Sequence, residues 1–68
     1  MNITIDQAIE IYARGFRFRK GHEASRSAHL EAERLKGVGD IQGCDVWRKV
    51  AARIEELDQA QAPPTFRH

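Results

Sequence analysis

Apolar residues recur at helical spacing in three stretches of this chain, separated by short joints that carry glycine. In the first stretch, Ile5, Ala8, Ile9, Tyr12 and Phe16 follow the 3.6-residue period and share one face. Ile11 and Phe18, one heptad apart, widen that arc to one side. Thr4 and Gln7 form a T-x-x-Q capping box at the start. Asp6 in the first turn suits the positive end of the helix dipole. Arg19 projects back into the apolar arc, so the buried stripe ends near Phe16 or Arg19 snorkels out to water. Gly15 weakens the middle of this helix, and Gly21 is placed to end it, with Arg17, Arg19 and Lys20 gathered at the negative end.

The second stretch spans Glu23 to Lys36. Ala24, Ala28, Ala32 and Leu35 line one face, and three alanines at i, i+4 and i+8 make a shallow groove that another helix can approach closely. Leu30 stands off this stripe and is expected to be exposed. Gly37 is expected in the left-handed cap position, with Val38 packing back against Leu35 or Ala32. Asp40 is a good N-cap for the third stretch, Ile41 to Asp58. There Gly43, Trp47, Val50, Ala51, Ile54 and Leu57 share a face, with Cys44 and Val46 at its margins. Gly43 on an apolar face calls for a packing reason, and close contact with the alanines of the second helix supplies one. Trp47 reads as an anchor of the core, because its helical neighbours are apolar.

These elements predict an all-α fold, a small three-helix domain built on an antiparallel hairpin of helices two and three. Helix one crosses the hairpin through Ile5, Ile9, Tyr12 and Phe16. A single helix one-plus-two, bent at Gly21, is the alternative, and it would call for a dimer to bury its second stripe. The domain is expected over residues 1–58, with a flexible tail over 59–68 that carries Pro63-Pro64 and Phe66.

Sixty-eight residues allow one domain at most, and a chain this short has a marginal core. With one cysteine it can form no internal disulfide, so a partner subunit is a natural further source of stability. A reducing, cytoplasmic setting fits the single Cys44. The first residues lack the pattern of a signal peptide, and no apolar run is long enough to span a bilayer, so no membrane partner is expected. The net charge of +1 exerts no global pull toward nucleic acid. Its distribution is uneven: residues 1–13 sum to −2, residues 14–26 to +4 and residues 27–68 to −1.

The pattern Ala28-x3-Ala32-x2-Leu35, followed by Gly39-Asp40-x2-Gly43-x3-Trp47-x2-Val50-Ala51-x2-Ile54-x2-Leu57, resembles small helical proteins of alphaproteobacteria that belong to families of unknown function. The resemblance covers residues 24–57. It implies a small all-helical fold in a bacterial, cytoplasmic setting and carries no catalytic or binding residue.

Five candidate sites follow from the residues. Arg14, Arg17, Arg19, Lys20 and Arg26, interleaved with Phe16 and Phe18, have the composition of a nucleic-acid contact. The plainer reading, a helix end that collects cations, is favoured. The mixed charges on helix three, Asp45, Glu55 and Glu56 beside Arg48, Lys49 and Arg53, speak against a helix-turn-helix reader of DNA. His29 and Glu33 are four apart, with His22 a heptad before, but no third ligand completes a metal site. Cys44 has no paired histidine and reads as a small residue at the edge of the core. Ser25 and Ser27 lack a nucleophile-elbow setting and read as capping or solvated residues. Ile11, Phe18 and Leu30 remain as spare apolar side chains, candidates for a protein interface at the seam of helices one and two.

The expectation is therefore a non-catalytic helical module that acts through its helix surfaces on an unidentified protein or on a second copy of itself. It needs no cofactor, metal or small-molecule substrate. Nucleic-acid binding through residues 14–26 is the alternative.

Overall fold

The computed structural model describes residues 3–61, and all their regular structure is helical. Helix α1 runs Ile5–Lys20, a 3-10 turn covers Gly21–Glu23, α2 runs Ala24–Gly37 and α3 runs Ile41–Gln61. The tail features Pro63-Pro64, Phe66 and His68 lie outside the described residues.

The capping box at the start of α1 is complete. The Gln7 backbone N–H donates to Thr4 Oγ1 at 3.1 Å, and the Thr4 N–H donates to Gln7 Oε1 at 3.0 Å. The helix ends at Gly21, whose φ of 58° and ψ of −125° suit a residue without a Cβ. That backbone breaks the axis, so α1 and α2 are separate helices rather than one bent helix.

The core lies where α1 and α2 meet α3. Ile9 and Ala13 enter it from α1, Ala24 and Ala28 from α2, and Val50, Ala51, Ile54 and Leu57 from α3. Phe16, Val46 and Trp47 pack against it. The alanine row behaves as its spacing suggests: Ala24, Ala28 and Ala32 are all buried, and α2 and α3 pack together along it. Cys44 is buried in the first turns of α3. Trp47 is half-buried, with its ring centroid 5.0 Å from Phe16 and 5.9 Å from Tyr12. Tilted pairs of this kind add to simple area burial.

Four details differ from the sequence expectation. First, α1 is rolled about its axis. Ile5 and Tyr12 are exposed, while Ala13, absent from the predicted stripe, is wholly buried. A small residue at the contact lets the two backbones approach, and Tyr12 lies to the flank against Trp47. Second, the left-handed residue after α2 is Gly39, with φ 88°, and Gly37 is helical. The Gly39 N–H donates to Lys36 O at 3.1 Å and the Asp40 N–H to Leu35 O at 2.8 Å, the paired bonds of a Schellman motif. Third, Val38 precedes that glycine rather than following it, and its side chain is exposed instead of packing on Leu35 or Ala32. Fourth, Gly43 faces the Asp40 cap rather than α2. Its N–H donates to Asp40 Oδ1 at 2.9 Å. A Cβ at Gly43 would stand 2.8 Å from Asp40 Cγ. Asp40 thus closes α2 with its backbone and opens α3 with its side chain.

Candidate protein-interaction surface

The basic segment is largely tied into the fold. Arg14 Nε donates to Glu10 Oε2 at 2.5 Å, one turn earlier on α1. Arg17 reaches across to α3 and donates to Asp58 Oδ1 at 2.7 Å. Arg19 and Lys20 lie over the Phe16 ring, at 5.4 and 5.5 Å from its centroid, with their side chains exposed. Arg19 thus leaves the apolar arc for water, as its position suggested. Arg26 is exposed on α2. Among the described residues, no carboxylate forms an ion pair with Arg19, Lys20 or Arg26.

Glu10 is the hub of the α1–α3 contact. Arg53 donates to both of its oxygens, Nε to Oε1 at 2.5 Å and Nη2 to Oε2 at 3.2 Å. Arg53 Nη1 also reaches Glu56 Oε1 at 3.1 Å. The Arg53 guanidinium, and after it that of Arg14, holds the Glu10 carboxyl below the usual glutamate range, against the opposing effect of partial burial.

Ser25 neither caps α2 nor stands free in solvent. The N-cap of α2 is Glu23, which makes no side-chain cap bond. Ser25 Oγ donates to Glu55 Oε2 at 2.7 Å, and His29 Nε2 lies 3.1 Å from the same oxygen. The Ser25 hydroxyl, followed by His29, lowers the Glu55 pKa. The carboxylate sits between hydroxyl and imidazole, so no Ser–His hydrogen bond forms, and the three groups clip α2 to α3. Sequence spacing puts Ser25 and His29 on one face at i and i+4, but nothing local points to Glu55, thirty residues on. His29 is therefore paired across the helices rather than with Glu33. His22 is exposed in the 3-10 turn. Among the described residues, no group of three or more His, Cys, Asp and Glu side chains could hold a metal ion. Among the described residues, no helix is long and apolar enough to cross a membrane.

The spare apolar residues divide between two helices. Phe18 is 91% exposed and Ile11 60%. At about 100° per residue, both lie on the side of α1 opposite Ile9, Ala13 and Phe16. They do not widen the buried arc; they face away from it. The exposed Tyr12 and the half-buried Ala8 and Gly15 lie between the two faces, with the exposed Arg19 among them, while Ile5 stands about 20° from Phe16 on the core side and is exposed at the first residue of the helix. Leu30, 60% exposed, stands on the outward side of α2 in the company of Arg26, Glu33 and Arg34, not with Ile11 and Phe18. Periodicity alone assigned Ile5 and Tyr12 to the core. Glu10 and Arg17 carried the missing signal, since each finds its partner on α3.

The chain matches no protein-family model, no curated protein and no solved structure.

Proposed function

We propose that this chain is a small non-catalytic interaction module, a three-helix domain on an antiparallel α2–α3 hairpin, which binds protein through the outward face of α1 that carries Ile11 and Phe18. One observation carries the reading. Phe18 and Ile11 stand exposed on one side of a helix whose other side already fills the core. Scattered single apolar residues at a surface need no explanation, but two large ones a heptad apart on one helix face mark a contact surface. The test places a photoreactive phenylalanine at position 18 and, as a control, at position 33 on α2, in the cells that make the protein. Protein adducts at 18 and none at 33 are expected. No adduct at 18 overturns the proposal.

A second reading has one observation in its favour. Arg19, Lys20 and Arg26 are exposed, and among the described residues no carboxylate pairs with them. That leaves a smaller cationic surface for nucleic acid than the five residues of the segment suggest, because Arg14 and Arg17 are spent on Glu10 and Asp58.

A further inference from the structure

The cations of α1 fall into two kinds. Arg14 and Arg17 are paired, with Glu10 and Asp58. Arg19 and Lys20 are exposed and, among the described residues, pair with no carboxylate. Both lie instead over the Phe16 ring, at 5.4 and 5.5 Å from its centroid. A ring face steadies a long cationic side chain without neutralising it, so both charges keep their pull on an outside anion.

Aromatic surface stands beside them. Tyr12 and Arg19, a heptad apart, lie about 20° from each other around α1, and Phe16 neighbours both at helical spacing. Trp47 joins this flank from α3, with its ring centroid 5.0 Å from Phe16 and 5.9 Å from Tyr12. Trp47 is only partly buried, and Tyr12 is 53% exposed. The acids of α1, Asp6 and Glu10, lie about 120° or more round the helix from Tyr12 and Arg19.

Gly15 adds an independent observation. It falls between Tyr12 and Arg19 along the same flank, three residues after one and four before the other. Glycine weakens the middle of a helix, and no packing within the described fold accounts for it: a Cβ at Gly15 would meet nothing within 4 Å. The flank is therefore a ring, a bare stretch of backbone and two unpaired cations, in that order along α1.

We infer that this flank binds single-stranded nucleic acid, with a base stacked on Tyr12 beside Trp47, the strand lying over Gly15, and phosphates held by Arg19 and Lys20. Stacked bases and phosphates together use all three features, whereas an acidic peptide would answer the cations alone. The inference rests on the nucleic-acid reading and deepens it. It moves the aromatic contact from Phe18, on the far side of α1, to Tyr12 and Trp47.

The test titrates the purified full chain at low salt with oligo-uridine and oligo-thymidine and follows the fluorescence of Trp47, the one tryptophan of the chain. Binding that quenches Trp47 and weakens as salt rises is expected, and the tighter strand identifies the sugar. Tyr12→Ala should weaken binding about tenfold, the loss of one stacked base, and Tyr12→Phe should keep it. Arg19→Ala with Lys20→Ala should abolish it. Gly15→Leu should be at least as stable to heat as wild type, because leucine is the better helix former, yet bind about tenfold more weakly. Poly-glutamate should neither quench Trp47 nor compete. Undiminished binding by Gly15→Leu and Tyr12→Ala overturns the stacking flank and leaves the cationic reading standing. So does a loss with Phe18→Ala while Tyr12→Ala is silent. Equal competition by poly-glutamate also overturns the inference, since the surface would then take any polyanion. No binding of either strand removes the nucleic-acid reading as well and leaves the protein-contact face at Ile11 and Phe18 untouched.

Discussion

Arg53 on α3 grips both carboxylate oxygens of Glu10 on α1, forty-three residues away in the chain. The grip turns Glu10 toward α3, on the same roll of α1 that buries Ile9 and Ala13. With Glu10 turned toward α3, its neighbour Ile11 is carried about 100° further round the helix, away from the core. Phe18, a heptad later, follows it. Removing the Arg53 guanidinium should loosen this roll. Arg53→Ala is expected to lower the melting temperature and to speed amide exchange in α1 more than in α2, measured by hydrogen–deuterium exchange. Equal exchange in both helices would show that apolar packing alone holds the orientation.

The same pair gives the fold a pH dependence of definite sign. Glu10 and Glu55 are both held below the ordinary glutamate value of 4.5, Glu10 mainly by Arg53 and Glu55 mainly by the Ser25 hydroxyl. A carboxyl whose pKa is lower in the folded state binds fewer protons there than in the unfolded chain. Its contribution is complete above the unfolded value and fades as pH falls through the folded one. Thermal stability should hold through neutral pH and drop below about 4.5. Glu10→Gln should be less stable than wild type at pH 7 and show a shallower acid decline. Thermal melts across pH 3 to 8 check both, and an unchanged slope would remove Glu10 from this role.

The joint between α2 and α3 can be tested at two glycines two residues apart. Gly39 has φ 88°, so Gly39→Ala forces a side chain into left-handed backbone and should cost about 1–2 kcal/mol. Gly37 is helical with open space around it, so Gly37→Ala should be neutral or stabilise by up to about 1 kcal/mol. Urea denaturation of the two variants measures this. The reverse order would return the cap to Gly37.

Buried and exposed apolar residues should respond differently to truncation. Ile54 is fully buried, and Ile54→Ala should cost about 2–5 kcal/mol. That is a large share of the roughly 3–10 kcal/mol expected for a domain of this length. Ile5 is 61% exposed, and Ile5→Ala should change stability by no more than about 0.5 kcal/mol. A large loss for Ile5→Ala would place it back in the core.

If the second reading holds, binding of mixed DNA or RNA at low salt should weaken steeply as salt rises. Three engaged cations would give a logarithmic slope of about −2 to −3. Arg19→Ala with Lys20→Ala should abolish binding, and Arg14→Ala should barely alter it. Flat binding across salt would remove nucleic acid from consideration.

Much of the architecture was legible in residue order. The Thr4–Gln7 box, the stop at Gly21, the buried alanine row and the Asp40 cap are all local signals, written within four residues of the bonds they form. The roll of α1 was not, because it depends on pairs such as Glu10–Arg53 and Arg17–Asp58 that are distant in sequence. Ile5 and Tyr12 keep the period of the core stripe, yet both stand exposed at its margin. The Ser25–Glu55–His29 clip was hidden for the same reason. Gly37 and Gly39 compete for one cap, and the choice rests on which carbonyls the following N–H groups reach.

The role of α1's outward face is tested most directly by hydroxyl-radical footprinting of the full chain inside cells, compared with the dilute purified protein. Phe18, Ile11 and Tyr12 should be oxidised in dilute solution and protected in cells, while Leu30 and Val38 stay equally reactive in both. Equal reactivity of Phe18 under the two conditions would contradict the assignment of this face to protein contact.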